Sequence, residues 1–190
     1  MPGQLVLLCG RSFSGKSVLA RALADALPGT VVSLDSINDE RGLRGGQGIP
    51  LEEWVRTHEL ARERATAVLT RDDTVIVDDT SSPKFLRDAW RSLAAGNDAR
   101  FVLVFIDAAE ETVRLRQAAN RAAPHRPDVD DAVMREHLSA FEPPGEDEQP
   151  VLVVAEDVTL PQVVGDVGRA LRPGAGESSR PDAGISGAPT

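Results

Sequence analysis

Cysteine is nearly absent from this 190-residue chain. Cys9 stands alone, so neither an intrachain disulfide nor a cysteine-rich zinc site can form. In its apolar surroundings it reads as a small buried side chain. Lysine is scarce too: Lys16 and Lys84 have no others beside them, and the remaining basic charge is arginine. With abundant Ala and Gly this looks like the bias of a GC-rich genome, which weakens any one arginine as a signal. Positive charge is also outweighed, the net charge being −9. The overall field repels polyanions and argues against a nucleic-acid partner, although a local basic cleft stays compatible with one. No apolar run approaches the ~20 residues that span a bilayer. The chain enters an apolar segment directly, without the basic, apolar and small-residue regions of a secretory leader. The expectation is a cytoplasmic protein that does not engage a membrane. No internal repeat is visible.

What the chain does have is alternation. Strand-like apolar runs at 5–9, 31–34, 74–77, 100–106 and 151–154 are separated by helix-like segments at 17–27, 51–69, 83–95, 110–118 and 129–141, with a last helix at 160–171. Continuous apolar strands between amphipathic helices predict an α/β sandwich, its parallel sheet covered on both faces. Two segments break the pattern. Residues 36–49 are polar and Gly-rich and follow the second strand, where open α/β sheets meet their ligands. Residues 120–128 form a basic, Pro-containing link between two short helices. Beyond 172 almost nothing can be buried, so the reading is one domain over 1–172 and a disordered tail over 173–190.

The chemistry begins at "GRSFSGKS", Gly10 to Ser17, between an apolar run and an amphipathic one. G-x-x-x-x-G-K-S after a strand and before a helix is the phosphate-cradling P-loop. Backbone N–H groups from Ser14 to Ser17 would wrap the β-phosphate, with Gly10 and Gly15 clearing the Cβ atoms that would collide with it. Lys16 would reach the β- and γ-phosphates, the Ser17 hydroxyl would hold Mg²⁺, and the helix N-terminus adds partial positive charge. Ser12, Phe13, Ser14 and Val18 complete the segment expected at the nucleotide. Phe13 is unusually bulky for such a loop; it either covers the loop or packs on an acceptor. No N-K-x-D guanine signature is present, which leans toward ATP and leaves GTP open.

Phosphoryl transfer to a hydroxyl further needs a proton acceptor and positive charge on the migrating group. Asp35 in "VVSLDSIND", at the expected carboxyl end of the second strand, is the candidate base, the alternative being a turn cap. Asp78 and Asp79 in "TVIVDDTSS" end the third strand, placed to hold the metal or the acceptor. Thr80, Ser81 and Ser82 follow, and one of the three hydroxyls is expected to cap the helix opening at Pro83. Arg116, Arg121 and Arg126 are spaced to fold a lid over the triphosphate, about 114–130, with planar donors suited to phosphate. The alternative for each is a solvated charged face. His58 and His137 lie in helices without companion ligands, and His125 lies in the expected lid. Trp54 and Trp90 read as packing.

These motifs resemble the small P-loop kinases that include the polynucleotide 5′-kinase domain, chloramphenicol phosphotransferase, seryl-tRNA kinase and the zeta toxins. "GRSFSGKS", "SLDS", "VIVDDTSSPKFLRDAWRSLA" and "RQAANR…FEPP" carry the likeness, in that order, across 5–171. The resemblance implies a five-stranded parallel core, Asp35 as base and a mobile arginine lid around Arg116 and Arg121. In the polynucleotide-kinase branch an arginine usually follows the base by three residues, where this chain has Asn38; Arg41 or Arg44 could substitute. "SLDS" is closer to the chloramphenicol phosphotransferase branch. The expected function is therefore NTP-dependent phosphorylation of a small-molecule hydroxyl, such as an antibiotic or nucleoside. Asp35, Asn38, Arg41, Asp78, Asp79, Thr80 and Ser81 would line the acceptor. A polynucleotide or tRNA kinase and a regulatory ATPase are the alternatives.

Overall fold

The computed structural model describes residues 2–43, 48–124, 128–148, 151–154 and 158–172. The expected tail, Arg44, His125 and Arg126 lie outside the described residues. Five strands, β1 (Gln4–Gly10), β2 (Thr30–Ser33), β3 (Thr74–Asp78), β4 (Arg100–Ile106) and β5 (Val151–Val154), form one parallel sheet in the order β2-β3-β1-β4-β5. Seven α-helices are described: α1 (Lys16–Ala26), α2 (Leu34–Glu40), α3 (Leu51–Leu69), α4 (Lys84–Gly96), α5 (Glu110–Ala122), α6 (Asp131–Ser139) and α7 (Leu160–Ala170).

The two faces follow from strand alternation. Leu5, Leu7 and Cys9 of β1 join Val75, Val77, Leu103 and Phe105 against Ala61, Ala65 and Val68 of α3 and Trp90 and Ala94 of α4. Val6 and Leu8 point the other way, with Ile76, Val102, Val104 and Ile106, onto Leu19, Ala20 and Leu23 of α1 and Val163 and Val167 of α7. A strand buried on both faces must be apolar at every position, which is why β1 reads as a continuous run. A third, smaller cluster of Phe13, Ala108, Val113, Val129 and Met134 lies under α5 and α6.

The expected alternation is present, with one element it did not foresee. The 36–49 segment is not loop from its start, because α2 occupies Leu34–Glu40. Ser33 caps it by accepting the Ser36 N–H at 3.3 Å, while Leu34 and Ile37 bury one face. The second strand accordingly stops at Ser33, and Asp35 lies in the first turn of a helix rather than at a strand end. A carboxylate there is favoured by the helix dipole. The fourth helix is also capped differently from the expectation. No side chain of Thr80, Ser81 or Ser82 caps it; Glu142 accepts the Lys84 N–H at 3.1 Å from across the fold.

Candidate active site

The order of strands reverses on either side of β1, and an open sheet offers its crevice at such a switch point, beyond the carboxyl ends. The loop from Gly10 to Ser17 leaves β1 there, and Asp78 ends β3 beside it. A Cβ on Gly10 would stand 2.9 Å from the Ile106 carbonyl and 2.9 Å from Ser14 Oγ, so only glycine fits. Gly15 has φ 109°, a backbone that side chains rarely adopt. Lys16 Nζ donates to the carbonyls of Gly10 at 2.9 Å and Arg11 at 2.8 Å, so the loop curls around its ammonium. Ser14 Oγ is buried with no hydrogen-bond partner, a polar atom left over inside the curled loop. Such a cradle fits a phosphate.

The two residues expected to hold a metal lie together. The Ser17 hydroxyl lies close enough to the Asp78 carboxylate to favour its ionised form, and Asp78 is nearly buried. Burial pushes the Asp78 carboxyl above the usual carboxylate range, against the pull of Ser17 and Lys16, and the charges of Asp35 and Asp79 push it further. One hydroxyl and one carboxylate, both oxygen donors, suit Mg²⁺, which keeps several waters and takes few protein ligands. Because the ionised form is disfavoured in the folded chain, the stability due to this carboxyl is full below its unfolded pKa. It is lost as pH rises through the raised folded one. Asp78→Asn keeps the shape and removes that charge. It is expected to melt ~2–4 °C higher than wild type at pH 7 without nucleotide, while losing Mg²⁺-dependent tightening of nucleotide binding. Thermal denaturation and calorimetric titration check the two halves.

The remaining candidates divide clearly. Asp35 is exposed on α2 and close enough for its charge to act on Asp78. Asp79 folds back, its Oδ2 accepting the Ser81 N–H at 3.0 Å and the Ser81 hydroxyl at 3.1 Å, and Thr80 gives its carbonyl to the Gly10 N–H at 3.1 Å. Asn38 is buried and accepts from Thr57 Oγ1 at 2.5 Å. Arg41 donates to Thr57 Oγ1 at 2.6 Å and to the Glu53 carbonyl at 2.7 Å, and ion-pairs with the Glu53 carboxylate. Both brace α2 on α3. Of the lid arginines, Arg116 reaches the loop, donating to the carbonyls of Ser14 at 2.6 Å and Phe13 at 3.2 Å. Arg121 instead pairs with Asp128 and Asp131, each at 2.7 Å, within its own lid. Ser12 and Val18 lie on the loop and at the start of α1, Val18 half-exposed.

Phe13 covers the loop rather than the acceptor. At φ 62° its ring enters the cluster of Ala108, Val113, Val129 and Met134 beneath the lid helices. Phe13→Ala keeps the left-handed backbone and empties the cluster, an expected loss of ~3 kcal/mol. That corresponds to a Tm lower by ~6–12 °C for a chain of this length. A thermal melt showing less than a quarter of that shift would mean the ring is not a core group.

Sequence reading missed four residues. Arg11 donates to the Ala108 carbonyl at 3.2 Å and lies 5.1 Å over the Phe141 ring, tying the loop to the chain beyond α6. Arg87 and Glu148 form an ion pair whose side chains are 0% and 1% exposed. The available signal was positional: Arg87 shares a helical stripe with buried Trp90 and Ala94. His58, read as an ordinary helical residue, has a buried Nδ1 with no hydrogen-bond partner; burial pushes its pKa down while the Asp79 charge opposes this.

A family described as an AAA domain matches residues 5–144, and the chain belongs to it. Among solved structures, Chaetomium thermophilum Kti12 in complex with ADP-AlF3 has a TM-score of 0.73 at 16% identity, over 88% of this chain and 99% of that one. Mycobacterium tuberculosis APS kinase in complex with AMPPNP and APS gives 0.66 at 20%, over 90% and 99%. A gluconokinase from Sinorhizobium meliloti gives 0.65 at 23%, over 90% and 91%. The fold is therefore that of small P-loop kinases and their relatives. No curated protein matches the chain.

Proposed function

We propose that this member of the AAA domain family moves the γ-phosphoryl group of ATP, or of GTP, to a hydroxyl of a small molecule. The observation that carries the reading is the convergence at one sheet end of the Lys16 loop, the Ser17–Asp78 pair and the exposed Asp35 carboxylate. Lys16 and the loop N–H groups bind the β- and γ-phosphates, and Arg116, already on the loop, supplies charge to the migrating phosphoryl. Ser17 and Asp78 would hold Mg²⁺, which neutralises phosphate charge and orients the chain for in-line transfer. Asp35 takes the proton of the acceptor hydroxyl as the new O–P bond forms and the bond to the β–γ bridging oxygen breaks, leaving the nucleoside diphosphate. Asp79 and Thr80, half-buried beside Asp78, border the acceptor from the other side, whereas Ser81, expected there too, is buried and bonded to Asp79.

A small neutral or cationic acceptor suits this chain better than a nucleic acid. The net charge is −9, and Arg41, at the C-terminal end of α2, is held by Glu53. The test is transfer of labelled γ-phosphate from ATP and from GTP. The acceptors are nucleosides, aminoglycosides, chloramphenicol, nucleoside antibiotics, gluconate and a 5′-hydroxyl oligonucleotide. Label on one small molecule is the expected result; label on the oligonucleotide alone, falling steeply with salt, would replace this reading with a polynucleotide kinase.

A further inference from the structure

One guanidinium gathers the carbonyls of two separate segments and the carboxylate of a third. Arg87 Nη1 donates to Ser81 O at 2.9 Å, to Ser82 O, and to Glu142 O at 2.9 Å, while Nη2 reaches Pro143 O at 3.5 Å. Its Nε and Nη2 complete a two-bond fork to Glu148, 2.7 Å each. Ser81 is a fully buried non-glycine residue at φ 46°, a conformation that persists only where its surroundings over-determine it. Its carbonyl is held by Arg87 and by Cys9 Sγ at 3.5 Å, and its N–H and hydroxyl by Asp79. The Thr80 carbonyl, in the same turn, is held by Gly10 at the end of β1. Residues 79–82 are thus pinned between the phosphate loop and α4, directly after Asp78.

The other carbonyls on Arg87 belong to the segment by which the chain leaves α6. That segment is stitched to the same turn, because the Glu142 N–H donates to Ser82 Oγ at 2.9 Å. One residue earlier, Phe141 lies under Arg11 of the loop and 6.0 Å from Phe105.

We propose that Arg87 is a positioning residue. It fixes the 79–82 turn so that Asp78 and Asp79 keep their direction, and it joins that turn to the exit of the lid. The inference rests on the reading of Asp78 as a metal ligand. Groups that orient a metal's carboxylate from behind matter nearly as much as the ligand itself. Lysine could replace the charge opposite Glu148 but not the planar fork that serves the carbonyls.

The test measures binding of AMPPNP by calorimetry, with Mg²⁺ and with EDTA, so it needs no acceptor. Arg87→Lys is expected to lose about tenfold of the Mg²⁺-dependent tightening, with affinity in EDTA held within about twofold because the loop is intact. Glu148→Gln leaves the carbonyl bonds in place, and Val167→Ala removes a core group on the opposite sheet face. Both are expected to melt lower and keep the wild-type ratio of the two affinities. An unchanged ratio in Arg87→Lys, or an equal loss in Val167→Ala, would overturn the positioning role. An unchanged ratio in Asp78→Asn would overturn the metal-site reading itself. Hydrogen exchange on the wild-type chain gives a second reading that survives a poorly folded variant. Peptides covering 79–82 and 141–145 should gain protection together when Mg²⁺-AMPPNP binds. Protection confined to 79–82 would show that Arg87 does not couple the two.

Discussion

Glu148→Ala is expected to unfold about 10 °C below wild type at pH 7, from a loss of ~3–5 kcal/mol at ~2–4 °C per kcal/mol. Arg87 is fully buried, and its charge is matched by this carboxylate alone among the described acidic side chains that hydrogen-bond it. Removing one partner of a buried pair leaves the other charge in a medium that solvates it poorly. The backbone carbonyls of Ser81, Ser82, Glu142 and Pro143 would keep their bonds to Arg87 but carry no countercharge. The pH dependence follows the same logic. The Arg87 hydrogen bonds hold the Glu148 carboxyl below the usual carboxylate range, more strongly than burial pushes it up. Stability from a depressed carboxyl is present above its unfolded pKa and is lost as pH falls through the folded one. The gap between wild type and mutant should therefore be full at pH 7 and narrow as pH falls below ~4. Thermal denaturation of both proteins across that range checks it. A gap that stays constant with pH would mean the loss is one of packing rather than charge.

Periodicity and one motif made most of this fold legible. The central strands, buried on both faces, cannot hide in a sequence; all five are read to within one or two residues of their observed bounds, and "GRSFSGKS" placed the loop on β1. The second helix was hidden because its exposed residues, Asp35, Ser36, Asp39 and Glu40, are polar and the stretch beyond is rich in glycine. Only Leu34 and Ile37, three apart, betray it. In the site, the loop motif placed Ser17 at the start of α1, and the apolar run placed Asp78 at the end of β3. Spacing along α5 treats Arg116 and Arg121 alike. What separates them is the company they meet: loop carbonyls for Arg116, and Asp128 and Asp131 for Arg121. Arg87 was missed for the same reason in stronger form. Glu142 and Glu148 lie 55 and 61 residues away along the chain, and no local pattern encodes contacts of that range.

Asp35 carries the largest kinetic expectation. Its carboxylate is exposed in the first turn of α2, with its charge felt at Asp78, near the end of the sheet where the Lys16 loop and the Ser17–Asp78 pair converge. An acceptor hydroxyl has no appreciable nucleophilic form at neutral pH, and a positioned carboxylate that takes its proton contributes ~10²–10⁴ in rate. Asp35→Asn keeps the side chain's size and the helix start, since Ser33 supplies the cap. Nucleotide affinity should accordingly stay within about twofold of wild type, because the phosphate contacts belong to Gly10–Ser17. Loss should appear in kcat rather than in binding.

The most direct measurement is transfer of γ-phosphate from ATP to the acceptor found in the panel, with wild type and Asp35→Asn side by side at matched nucleotide saturation. The expected result is a rate reduced by ~10² or more with binding of AMPPNP intact. A chain that labels no acceptor, and whose Asp35→Asn form hydrolyses nucleotide as fast as wild type, would contradict the phosphotransferase reading and leave a nucleotide-dependent switch in its place.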